Sequence, residues 1–291
     1  EFLNANSIIA RFVFIVLVLI VFVALLNLGI WLIHYFTDNS RSPYMVKGLI
    51  NGSNYVMVDQ NPKNANSIQV LKSNNQPSGI EFTWSVWLNI TQPTASTYQC
   101  IFVKGTQPST SNNGISPVNN APGLYVAPAN YSSVMKTTGQ VSSYTTDLLM
   151  NTSALCLIMD TTNESGALLG DGGTNTKSQN ETIFIENIPL QKWFHVDIRL
   201  QNKILDVYIN GVATTRKIFQ YIPKQNYDNV HVCPNGGFAG QLSDLRYFSY
   251  ALNVLQINNI VNAGVNLSPS KSSSLGSTAQ YTSYLSNSWY S

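Results

Sequence analysis

The sequence predicts an all-β protein: an antiparallel β-sandwich preceded by one apolar helix long enough to cross a bilayer. Three observations carry this. Residues 12–36 are apolar throughout except for Asn27 and His34, and none carries a formal charge. Further along, apolar and polar residues alternate at the two-residue period of half-buried strands. Between those stretches lie clusters of Asn, Gly, Pro, Ser and Thr, the residues that turns and loops require.

Composition narrows the function classes before any motif is read. Only 10% of the 291 residues are charged and the formal net charge is +2, while aromatic residues reach 11%. Such a chain has no basic stripe to neutralise phosphates, so nucleic acid is not an expected partner. Cys100, Cys156 and Cys233 are too few and too far apart for a disulfide framework or a zinc site, and are expected as buried free thiols. The Asn-x-Ser/Thr triplets at Asn51, Asn89, Asn130, Asn151, Asn163, Asn180 and Asn266 are about as many as this composition supplies by chance.

Residues 1–11 form an N-terminal flank, and 12–36 the helix. At ~1.5 Å per residue the helix spans roughly 37 Å, more than the ~30 Å of a hydrocarbon core. Phe12, Phe14, Leu19, Phe22 and Leu26 are expected to face lipid, with Trp31, Tyr35 and Phe36 at the far interface, where amphipathic rings are favoured. The run exceeds a usual signal-peptide core and no small-residue cleavage pattern follows it, so a retained anchor is expected. Asn27 is expected to bond its own backbone, a neighbouring helix being the alternative.

Residues 37–54, with Pro43 and two glycines, read as a connector, and the sandwich is expected over 55–266. Phe82, Trp84, Val86, Leu88 and Ile90 alternate onto one strand face, which turns Trp87 to the other. Val196, Ile198 and Leu200, then Leu205, Val207 and Ile209, give two more strands with one apolar face each. Asn210-Gly211 tolerates the positive φ of a type I′ turn, so the chain should reverse into 212–217. Residues 106–122 and 163–180 read as loops. A short helix is expected over 252–262, at a sheet edge, with Asn253 capping, Gln256 completing a capping box and Gly264 stopping it. Residues 267–291 read as a Ser-rich extended tail whose Tyr284, Leu285, Trp289 and Tyr290 are candidates for docking onto a partner or onto the domain itself.

Taken in order, Phe82-Thr-Trp-Ser-Val-Trp87, Ile101-Phe-Val-Lys-Gly105, Pro189-Leu-Gln-Lys-Trp-Phe-His195, Leu205-Asp-Val-Tyr-Ile-Asn-Gly211 and the Phe238–Phe248 run resemble the laminin-G-like, concanavalin A-like jelly-roll superfamily. Ser40-Arg-Ser-Pro-Tyr44 after the apolar run, Asn120–Pro128, and Pro223–Tyr227 ahead of Asn235–Phe238 are similar to membrane-anchored laminin-G-like proteins of large double-stranded DNA viruses. That resemblance implies a minor capsid protein held in the internal viral membrane, with the lipid bilayer and other capsid proteins, major and minor, as partners. A membrane-anchored lectin-like module that binds glycans or a receptor is the alternative.

Glucanases of similar fold carry Glu-x-Asp-x-Glu along one strand, and no such triplet occurs here. Asp197 and Asp206 are expected to be solvated, and His195 to be packed and hydrogen-bonded instead of acting as a base. With no Gly-x-Ser-x-Gly elbow, phosphate loop or His-Glu-x-x-His, a non-enzymatic protein without cofactor is expected. Asp160, Asp171 and Asp228 are the candidates for a calcium rim, but Gly170-Asp-Gly-Gly173 lacks the several carboxylates a hard cation favours, so no metal is expected.

Overall fold

The computed structural model describes residues 8–64, 66–73, 75–76, 79–94, 96–129, 152–162 and 182–270. The chain forms two compact units, Glu1–Ser42 and Pro43–Ser291.

In the first unit, helix α1 covers Ile8–Arg41, extending past the expected 12–36 at both ends. Its Phe12–Ile30 stretch is long and apolar enough to cross a membrane, and none of it is buried inside the protein. So many Val and Ile residues disfavour a helix in water. In an apolar medium the helix wins because it satisfies every backbone group internally. Arg41 places a cation at the negative end of the helix dipole, and Pro43 ends the helical path. Asn27 Nδ2 donates to Val23 O at 2.9 Å, the backbone bond the sequence led us to expect.

The second unit is the jelly-roll sandwich. One sheet has the order β1-β15-β4-β10-β11-β12, with β3 beside β4, and the other β2-β14-β5-β6-β7-β9. These are β1 (Tyr44–Asn51), β2 (Val56–Val58), β3 (Asn75–Gln76), β4 (Gly79–Gln92), β5 (Gln99–Lys104), β6 (Gly123–Val126), β7 (Thr152–Ile158), β9 (Thr182–Pro189), β10 (Trp193–Asn202), β11 (Ile204–Ile209), β12 (Val212–Ile218), β14 (Val230–Val232) and β15 (Ala239–Phe248). A two-stranded ribbon pairs β8 (Thr161–Thr162) with β13 (Ile222–Pro223). Described strand pairs are antiparallel, and neighbours distant in sequence, such as β4 and β15, give the crossovers of a jelly roll.

The core lies between the sheets. Phe82, Trp84, Val86, Leu88 and Ile90 of β4 all point into it, as their alternation predicts. Trp84 joins the layers: its ring lies 5.1 Å from Phe102 of the opposite sheet and 5.1 Å from Tyr247 beside it. The Asn210-Gly211 turn has φ of 51° and 80°, and Ile209 pairs with Val212 across it. All three cysteines are free and buried.

Three expectations need correction. The sandwich starts at Tyr44 and not at Tyr55, because β1 lies inside the supposed connector and pairs with β15. Two register shifts break its alternation, and Gly48 holds φ at 87° with Ser268 O where a Cβ would sit. The short helix, α2 (Val254–Ala263), has the expected Asn253–Gln256 capping box, but it packs over a sheet and not at an edge. Its Ile257 closes a second cluster with Tyr208, Phe248 and Leu252 on the outer face of the first sheet. Asp197 and Asp206, expected in water, are therefore 0% and 2% exposed. The opening of the extended tail lies along β1: Leu49 N donates to Ser268 O at 2.8 Å and Ser270 N to Leu49 O at 2.9 Å, a parallel bridge.

Candidate functional site

Three places on the chain hold chemistry to weigh: the apolar helix, a loop rim at one end of the sandwich, and a polar array beneath α2. On the helix, Phe12, Phe14, Leu19, Phe22 and Leu26 are all exposed; by helical spacing Phe12, Leu19, Phe22 and Leu26 share one side of α1 and Phe14 lies apart from them. The backbone at Trp31, Tyr35 and Phe36 continues the helix. Tyr284, Leu285, Trp289 and Tyr290, and Asp171 of the calcium candidates, lie outside the described residues.

The rim gathers the ends of β5 and β14 and the segments 105–122 and 219–229. Strand β5 delivers Lys104 to the edge of the core, where its side chain is 4% exposed. Its ammonium donates to Asn226 O at 3.1 Å, to Asn226 Oδ1 at 3.3 Å and to Asp228 O, filling all three donor positions. Burial pushes the amine down to about 8, with Asp228 pulling the other way. Asn226 returns two bonds, to Lys104 O at 3.0 Å and Asn119 O at 2.9 Å. The two calcium candidates described here are committed elsewhere: Asp160 Oδ2 accepts from Asn120 N at 2.9 Å, and Asp228 Oδ2 from Asn119 Nδ2 at 3.0 Å. Among the described residues, no three His, Cys, Asp or Glu side chains come together.

Inside this rim a cleft of about 80 Å³ leads down to Phe82, Trp84 and Tyr247, with Lys72, Gln225 and Tyr227 among its walls. Tyr227 is 94% exposed. An exposed aromatic ring near the amide side chain of Gln225 offers an apolar face and hydrogen-bonding groups together, the chemistry of a polar-ligand platform. The sequence reading singles out neither Lys104 nor Tyr227. Lys104 has a signal, a lone lysine closing the apolar run 100–103 ahead of Gly105.

Beneath α2, Ser85 Oγ lies 2.8 Å from His195 Nε2, and His195 Nδ1 lies 3.1 Å from Asp197 Oδ2. The register explains the meeting: Ser85 faces Asp197 and Trp87 faces His195 across β4 and β10, all on the outer face. The Trp87 ring packs 4.9 Å from His195, which is buried and hydrogen-bonded as expected. These contacts have the connectivity of a nucleophile, base and orienting acid. Two further requirements are not met. Ser85 is 3% exposed, and β4 is flanked on both sides by paired strands, so the backbone donors around Ser85 are spent on the ladder instead of forming an oxyanion hole. The array ties β4 to β10. A cleft of about 260 Å³ between Ser85, Trp87, Arg246 and the α2 residues Asn259 and Ile260 lies over it.

Asp206 is the best-satisfied buried charge on that face. Arg216 Nε and Nη2 donate to its two oxygens at 2.6 and 3.0 Å, and Arg199 Nη1 to Oδ2 at 3.1 Å. Arg199 Nε also donates to Leu252 O at 2.8 Å, which fastens the segment leading into α2.

No family model and no curated relative matches the chain. Solved structures with a similar course include the botulinum neurotoxin serotype G binding domain, at 12% identity, TM-score 0.41, 74% of this chain and 46% of that one. The receptor binding domain of the botulinum neurotoxin mosaic serotype C/D gives 13% identity, TM-score 0.44, 77% and 45%. The serotype D binding domain gives 11%, 0.44, 78% and 53%. The chain thus spans about half the length of the solved chains it matches.

Proposed function

We propose that this chain is a membrane-tethered, non-enzymatic packing module and, following its family resemblance, a minor capsid protein set between the internal membrane of a virion and its capsid. One observation carries the reading: a charge-free helical stretch, Phe12–Ile30, exposes its apolar side chains on every side, in the same chain as a sandwich. In water such a helix is unfavourable by roughly 25 cal/mol for each Å² of apolar surface left uncovered, and a bilayer removes that cost. The sandwich supports a holding role, since its buried Lys104, Asp160 and Asp206 are bonded within the fold. Lipid and neighbouring capsid proteins are the partners, with no cofactor. The expected result is that the full-length protein stays with membranes through an alkaline wash, that deleting 12–36 releases it, and that purified particles contain it in fixed stoichiometry. Absence from purified particles overturns the virion role.

The exposed Tyr227 near Gln225 favours a second reading, glycan or receptor binding at the loop rim. Saturable binding on a glycan array that Tyr227→Ala abolishes supports it, and an array without saturable binding removes it.

A further inference from the structure

We infer that α1 pairs with a second copy of itself inside the bilayer, along a seam formed by Val13, Val16, Ile20, Val23, Asn27 and Ile30. The inference rests on the membrane reading above and adds a partner to it. The helix is apolar all round, so hydrophobicity marks no face; side-chain shape does. The six residues are spaced three and four apart, the a and d positions of a heptad, which keep one stripe facing a partner in a left-handed pair. Each apolar member of the seam is β-branched. Among the twelve other residues between Val13 and Ile30, only Ile15, Val18 and Val21 are. In a helix Val and Ile hold one dominant χ1 rotamer, so packing them costs little side-chain entropy. Because lipid tails are as apolar as the seam, shape and polar bonds decide which surfaces associate.

The second observation is Asn27, the seam's single polar side chain. Its bond to Val23 O uses one amide hydrogen. Among the described residues, the other amide hydrogen and Oδ1 have no partner, and hydrocarbon supplies none. A primary amide is both donor and acceptor, so two copies related by a two-fold axis satisfy each other, Nδ2 of each to Oδ1 of the other. That self-complementarity selects a second copy over an unrelated apolar helix.

The test is energy transfer between donor- and acceptor-labelled full-length protein in phosphatidylcholine vesicles, with an alkaline wash run in parallel. Wild type should associate, and Asn27→Val should need about three- to tenfold more protein per lipid for the same transfer. Asn27→Gln, which keeps the amide, should recover part of the loss. Val16→Leu with Val23→Leu should weaken transfer, whereas the same change off the seam, Val18→Leu with Val21→Leu, should not. Transfer indifferent to Asn27→Val, or equally sensitive to the two double variants, overturns the pairing. Protein that the wash removes overturns the anchor itself, and the variants that stay membrane-bound separate the two failures.

Discussion

Replacing Asp206 by Asn distinguishes a carboxylate that organises the outer face from a solvated surface residue. The change keeps the shape but removes the charge and one acceptor from a site that is 2% exposed and receives three charge-assisted bonds. Breaking a buried pair costs about 3–5 kcal/mol, because the partner's charge is left uncompensated. Here the cost is lower, since Arg216 is 64% exposed and turns into water once released. Arg199, at 17%, cannot do so, although it keeps Leu252 O and Gln201 Oε1. The expected loss is therefore about 2–3 kcal/mol for Asp206→Asn and clearly smaller for Arg216→Met, whose bond is that of a mostly exposed pair. For a unit of this size that corresponds to a fall of ~4–12 °C for the first variant and a few degrees at most for the second. Thermal unfolding of the full-length protein in detergent, followed by tryptophan fluorescence, reads both. A loss below about 0.5 kcal/mol for Asp206→Asn, the usual effect of a surface substitution, refutes the reasoning, as does an equal loss for the two variants.

Lys104, whose amine burial lowers from 10.5 to about 8, loses its proton in the folded protein while the unfolded chain still holds it. Its contribution to stability therefore grows with pH between those values, at no more than about 1.4 kcal/mol per pH unit, and levels off above them. Comparing unfolding of wild type and Lys104→Met across pH 7–11 checks this, the expected difference being a positive slope that the variant lacks. Gly105→Ala should destabilise by about 3 kcal/mol or fail to fold, because φ is 148° and the new Cβ would stand 1.6 Å from Asn119 O; urea unfolding against the neighbouring Thr106→Ala measures it. A fluorophosphonate probe should leave the native protein unlabelled at Ser85, and mass-spectrometric detection of the adduct would contradict the closed array described above.

Strands were legible wherever one face meets the core and the other carries polar residues. That rule finds β4, β10 and β11 and the turn at Asn210-Gly211. It misses β1, whose two register shifts and left-handed Gly48 disrupt the period it depends on. It also assigns Asp197 and Asp206 to water, since a polar face reads the same whether solvent or a helix covers it. Capping residues locate α2 within two positions, yet nothing local says which surface the helix will cover; that depends on Tyr208 and Phe248, far apart in sequence. The rim was legible in its loops and not in its clamp, because the value of Lys104 comes from three carbonyl groups supplied by residues 226 and 228.

The bridge between β1 and the Ser268–Ser270 segment has a mechanical meaning. The two segments run parallel, so tension applied to the sandwich through Pro43 at one end and Ser270 at the other drags them past each other lengthwise. Leu49 N to Ser268 O and Ser270 N to Leu49 O are then strained at the same moment, and the β1 ladder to β15 with them. Bonds loaded together in shear resist far better than bonds peeled one after another, so the edge of the sandwich yields to a lengthwise pull only when the whole set gives way.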